Sequence, residues 1–140
     1  MVILNKQIRD KIADHGKRDY PHECCGFLFG RDHDERREII KALPVENIHS
    51  EDQRRRFQVS PKDYMKAETF ADENDMEFLG IYHSHPDHPS VPSEHDLKQA
   101  VPFFSYFILS VKNGQPDTLQ SWKLNSENIF QEEKLKIENQ

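Results

Sequence analysis

Apolar residues fall in short groups along the chain, and the spacing within each group predicts an element. Leu4, Ile8 and Ile12 recur at helical intervals among charged residues, which predicts an N-terminal helix ended by Gly16 or Pro21. Cys24–Gly30 is a continuous apolar run bounded by glycine, the pattern of a buried strand. Glu38–Val45, centred on Ile39 and Ile40, predicts a second strand. His49–Arg56 is polar and reads as an exposed loop, after which Phe57-Gln58-Val59 alternates like a short strand. Ser60-Pro61-Lys62-Asp63 opens a second helix, with a serine cap, proline at the first helical position and an acid three residues after the cap. Tyr64, Ala67 and Ala71 then share one face. Phe78–Tyr82 predicts a strand that runs straight into a histidine-rich segment. Phe103–Val111 and Thr118–Leu124 read as strands joined around Asn113-Gly114, a hairpin signal, and Ile129–Ile137 fits either strand or helix. Helices between strands, with one antiparallel hairpin, predict an α/β fold in which helices flank a mixed β-sheet.

Composition narrows the setting. The 140 residues correspond to a single domain, 1–140. Only 35% are apolar and 31% are charged, so a small core lies under a densely charged surface. The net charge of -6 argues against nucleic acid or an anionic membrane as a partner, since both favour an excess of Lys and Arg. No apolar run approaches the roughly 18 residues of a membrane span. The first ten residues reach charge too early for a signal peptide, so the expected location is the cytoplasm. Cys24 and Cys25 are adjacent and lack Cys-x-x-Cys spacing, and they read as small buried residues rather than a disulfide or a thiolate metal clip. Tyr82 and Trp122 read as packing residues, and Arg54–Arg56 as a solvated loop on which an acidic partner could dock.

Chemistry concentrates between residues 83 and 96, where four of the eight histidines occur with three prolines. His83 and His85 are two apart, so in an extended strand both rings project from one face. Such an imidazole pair suits zinc and other borderline divalent metals. Asp96 falls in a predicted first helical turn, from which its carboxylate could supply a third ligand and leave a fourth tetrahedral position for water. Ser93-Glu94-His95-Asp96 equally fits a capping box, and His88 and His95 equally fit a solvated loop.

His-x-His, ten residues and then Asp, with Pro86 after the second histidine and Ser93 three before the aspartate, resembles the motif of the JAMM metallopeptidases. This is the metal-binding form of the MPN domain. The run Pro21-His22-Glu23-Cys24-Cys25-Gly26-Phe27-Leu28-Phe29-Gly30 resembles the family's Pro-x-Glu-x-Cys-Gly-x-Leu-x-Gly segment. Asn47 and Phe57–Pro61 resemble the loop and strand before its second helix, so the likeness extends over about residues 1–135. The one departure is Cys24 beside the expected Cys25. The resemblance implies a cytidine-deaminase-like MPN fold and one Zn²⁺ per chain on His83, His85 and Asp96. It also implies Glu23 as general base and Ser93 as a supporting catalytic residue. The implied substrate is a ubiquitin-like or sulfur-carrier protein, cut after its C-terminal Gly-Gly. Zinc deaminases need His-x-Glu and Pro-Cys-x-x-Cys, which this chain lacks. The other class of function is a non-catalytic MPN scaffold, a form that has usually lost the ligands that remain here.

Overall fold

A computed structural model describes residues 1–139, and it divides the first apolar group between two elements. Val2–Asn5 forms strand β1 and Lys6–Asp19 forms helix α1, so Leu4 lies in the strand while Ile8 and Ile12 are buried on the helix. The Asn5 side chain sets the boundary by accepting the Ile8 N–H at 2.9 Å. Gly16 does not end the helix, which continues to Asp19. It stops before Tyr20-Pro21, since a residue preceding proline is biased away from helical backbone.

The elements that follow are β2 (Cys25–Asp32), β3 (Arg37–Val45), α2 (Pro61–Glu73), β4 (Glu77–Pro86), α3 (Glu94–Gln99), β5 (Ser105–Lys112), β6 (Gln115–Leu124), β7 (Phe130–Glu133) and β8 (Leu135–Glu138). The β5–β6 turn is at Asn113-Gly114, with positive φ of 51° and 80°. Ser60 caps α2 by accepting the Asp63 N–H at 3.0 Å. Phe57-Gln58-Val59 is not a strand, contrary to its alternation; Phe57 and Val59 are nonetheless buried, so the period reports packing and not pairing. The stretch after Ile129 becomes two short strands that lie on opposite edges of the sheet.

Among the described residues one eight-stranded sheet runs in the order β7-β6-β5-β4-β2-β3-β1-β8. It is mixed: β4 pairs parallel with β5 and antiparallel with β2. Helix α1 covers one face, where Ile8 and Ile12 pack with Leu28, Leu79, Tyr82 and Phe107. Helix α2 lies on the other, where Ala67 and Ala71 pack with Phe27, Phe29, Ile81 and Tyr106. The β2–β4 register shifts between Leu28 and Phe29. That irregularity puts Leu79 in the α1-side core and Ile81 in the α2-side core, although they are two residues apart. Beyond it alternation resumes, and Tyr82 and His83 point to opposite faces. Gly26 is required there, because a Cβ would collide with the Tyr82 ring. No helix among the described residues is long and apolar enough to cross a membrane.

Candidate metal centre and cleft

The site forms where β2 leaves β4. Their register ends at Cys25 opposite His83, with one further bond from Ser84 N–H to the Cys24 carbonyl at 3.1 Å. Glu23 would come next, but its N–H donates to the Gln53 carbonyl at 2.6 Å instead. Glu23 and His85 thereby line a cleft of about 700 Å³ with Ser93, Pro89 and Val91.

β4 carries His83 and His85 on the α2 side, and α3 brings Asp96 to them. His83 Nε2 and His85 Nε2 are 3.2 Å apart, while Asp96 Oδ1 is 3.2 Å from the first and Oδ2 is 3.1 Å from the second. All three residues are buried. Both readings of Asp96 hold at once. Ser93 Oγ accepts the Asp96 N–H at 3.2 Å, and Asp96 Oδ2 accepts the Ser93 N–H at 2.8 Å, a complete capping box whose carboxylate also faces the histidines.

The surroundings constrain each candidate ligand. His85 Nδ1 lies 2.8 Å from the Pro89 carbonyl, which can only accept, so Nδ1 carries a proton and Nε2 is the nitrogen turned towards His83 and Asp96. Phe57 stacks on His83 with centroids 4.5 Å apart, and His83 Nδ1 has no hydrogen-bond partner. Burial lowers the His83 pKa in spite of Asp96 beside it. Burial by itself would raise Asp96, but His83, His85 and the Ser93 N–H together hold it far below the carboxylate range.

These atoms fit a divalent cation. The two Nε2 atoms and both Asp96 oxygens converge, an arrangement that a divalent cation between them would satisfy. The separations of 3.1–3.2 Å also match the edge of about 3.3 Å expected for a tetrahedron with bonds of about 2.0–2.1 Å. His83, His85 and Asp96 are the one such cluster of three among the described residues.

Glu23 is buried, and its Oε1 has no hydrogen-bond partner. Burial, with smaller contributions from the charges of Asp96 and Asp52, pushes its pKa up to about 9. The remaining expectations divide. Cys24 and Cys25 are free and buried, Tyr82 is packed, and the Trp122 indole N–H donates to the Ser90 carbonyl at 2.9 Å. His88 is exposed and lines the cleft, and half-buried His95 sits edge-on to His49. Of the three loop arginines, Arg55 also lines the cleft. The sequence reading missed Pro89 as the partner that orients His85, since a backbone carbonyl leaves no trace in residue type. It also missed the role of Asn47, whose side chain bonds the Glu23 and Arg56 carbonyls and the His49 and Gln58 N–H groups.

Comparison with known proteins agrees with this geometry. Residues 5–125 match the family model described as prokaryotic homologs of the JAB domain. The chain is 33% identical over 118 residues to tail tip assembly protein K of Escherichia phage N15, covering 84% of this chain but 44% of that protein. It is 28% identical over 117 residues to a desampylase of Pyrococcus furiosus, covering 83% and 76% of the two chains. It is 33% identical over 100 residues to a probable TtuB-protein conjugate cleaving protease of Thermus thermophilus, covering 71% and 64%. Two of these three relatives are therefore spanned over less than two-thirds of their length. The solution structure of protein DSY2949 from Desulfitobacterium hafniense superposes with a TM-score of 0.88 at 27% identity, covering 100% of this chain and 94% of that one. A JAB1/MPN domain protein from Archaeoglobus fulgidus, at 17% identity and a TM-score of 0.62 over 99% and 100% of the two chains, shares the fold. With the matched model spanning most of its length and the His-His-Asp cluster assembled inside that span, this chain belongs to the prokaryotic JAB-domain family.

Proposed function

We propose that the chain is a zinc metallopeptidase that hydrolyses a peptide or isopeptide bond after the C-terminal Gly-Gly of a ubiquitin-like or sulfur-carrier protein. The observation that carries this reading is Glu23, whose buried, unpartnered carboxyl oxygen belongs to the cleft that His85 and Ser93 line. His83, His85 and Asp96 would hold one zinc ion. When bound, zinc supplies a Lewis acid and makes water nucleophilic near neutral pH. Glu23 accepts the attacking water's proton as the water oxygen joins the carbonyl carbon, and passes it to the amine as the C–N bond breaks. A cation nearby pulls the raised Glu23 pKa back down, towards a value suited to both steps. Ser93 Oγ accepts from Asp96, which leaves its own O–H to donate to the developing oxyanion.

The names of the desampylase and the TtuB-conjugate cleaving protease support a carrier-protein substrate. Strand β4 is internal to the sheet, so the substrate tail enters the cleft where β2 diverges and does not extend β4 as an edge. Glycines before the scissile bond allow close approach, having no Cβ. The test incubates the zinc-loaded protein with a folded carrier extended beyond Gly-Gly and with its Gly-Val counterpart, read by mass spectrometry. Cleavage of the first, abolished by chelation, is expected. Equal cleavage of both, or of unfolded peptides without glycine preference, would make it a general peptidase, and inertness in the presence of zinc would favour the scaffold.

A further inference from the structure

The loop before Phe57 is tied to Glu23 and carries a cation, Arg55, that lines the cleft with 78% of its side chain exposed. Asn47 uses both amide hydrogens and both oxygen lone pairs: Nδ2 donates to the Glu23 and Arg56 carbonyls at 3.1 and 3.0 Å, and Oδ1 accepts from His49 and Gln58 at 3.0 and 3.1 Å. The Gln53 side chain closes the loop on the Asn47 and His49 carbonyls, and the Gln53 carbonyl accepts the Glu23 N–H. Arg55 projects from this braced segment. Its nearest anion, Asp52, is at 4.0 Å, so the guanidinium donors are almost uncommitted. Among the described residues Arg55 is the one Lys or Arg that lines the cleft, together with apolar Pro89, Val91 and Pro92.

We propose that Arg55 is a carboxylate-binding subsite on the leaving-group side of the cleft, selecting bonds whose amine half is a single C-terminal amino acid with a free α-carboxylate. This rests on the peptidase reading above. The amine must come within hydrogen-bond reach of Glu23 to receive its proton. In an α-amino acid the carboxylate carbon is two bonds from that nitrogen, so it stays close to it, in the cleft that Glu23 and Arg55 both line. A lysine ε-amine in an isopeptide has only methylenes there. A planar guanidinium matches a carboxylate in two parallel hydrogen bonds.

The experiment compares three folded carriers ending in Gly-Gly-Ala, Gly-Gly-Ala-amide and Gly-Gly-Glu-amide, cut by wild type, Arg55→Ala and Arg55→Lys. Wild type should prefer the free acid over both amides by about 10- to 100-fold in kcat/KM, mostly through KM. The preference should fall to about one in Arg55→Ala and return in part in Arg55→Lys. Independently of turnover, the free tripeptide Gly-Gly-Ala should shift the Arg55 Nε–H resonance in an NMR titration, and its amide should not. Equal cleavage of acid and amide by wild type overturns the inference and leaves the peptidase reading standing. Equal preference for the Glu amide assigns Arg55 to acidic side chains and overturns the α-carboxylate. Failure to cut any carrier while the acid alone shifts Arg55 overturns the reaction and keeps the subsite; failure of both removes both.

Discussion

Two polar networks occupy opposite faces of the same strand, one residue apart. On the α1 face, His15 Nε2 donates to Asp19 at 3.1 Å and Nδ1 accepts the Tyr82 O–H at 2.7 Å, while Ser84 Oγ accepts the Cys24 N–H at 2.8 Å. Burial lowers the His15 pKa against the pull of Asp19, and burial pushes the Cys24 thiol up to about 12. Neutral His15 uses both ring nitrogens, so this face is closed. On the α2 face, three ligand atoms converge within hydrogen-bond distance, and His83 Nδ1 and Glu23 Oε1 have no partner. Burial is similar on both sides, so depth does not distinguish them. Satisfaction does: the α1-side network closes on itself, whereas the α2-side one leaves a buried carboxyl oxygen and a ring nitrogen without partners.

The largest expected effect breaks the open face. His83→Ala or Asp96→Ala should lose zinc and activity together, and elemental analysis of the purified variants measures this; full zinc occupancy in either would remove its target from the ligand set. Glu23→Gln should keep zinc while kcat falls by about 10²–10⁴. The same variant has a pH signature in the zinc-free protein. The Glu23 pKa rises from 4.5 unfolded to about 9 folded, so between these values the unfolded chain releases a proton that the folded chain retains. Zinc-free wild type therefore loses stability as pH rises through that window. Glu23→Gln should melt at least about 5 °C above it at pH 8, with the gap closing towards pH 5. A constant gap in calorimetry would show that Glu23 titrates normally.

Smaller effects sharpen the contrast. Ser93→Ala removes the oxyanion donor and should lower kcat by about 10², with KM and zinc content little changed. On the closed face, Tyr82→Phe leaves His15 Nδ1 without its donor and should cost about 1–3 kcal/mol of stability. Denaturant melts measure that cost. Zinc content and turnover in buffer below the melt should stay at wild-type levels, and a Tyr82→Phe variant that is stable but inactive would join the two networks.

Much of the frame was legible from local patterns. The cap at Ser60, the turn at Asn113-Gly114 and the apolar runs of β2 and β3 each depend on residues close in the chain, and each is where its pattern places it. The failures share a cause. Leu4 joined the helical spacing of Ile8 because one apolar residue satisfies both periods, and its assignment to β1 depends on pairing with Ile39, far along the chain. Phe57 and Val59 alternate without pairing, because their burial comes from α2 and His83 and not from a neighbouring strand.

For the site, the sequence alone determined the donor types and that His83 and His85 share a face, since the two-residue period of a strand is local chemistry. Glu23 stood out only through its likeness to a family pattern, since its residue type is one among 25 acids. Tertiary structure decided the rest. The register shift at Leu28 and Phe29 sets which face of β4 the histidines occupy, and packing of α3 against that face brings the locally capped Asp96 to them. The divergence of β2 from β4 strips Glu23 of sheet partners and opens the cleft, while Asn47 ties the Arg55 loop to Glu23 beside it. The capping box is local, but the β2–β4 register, the Ser84–Cys24 bond and the Asn47–Glu23 bond join segments tens of residues apart, so closing the chain creates them and no local window contains them.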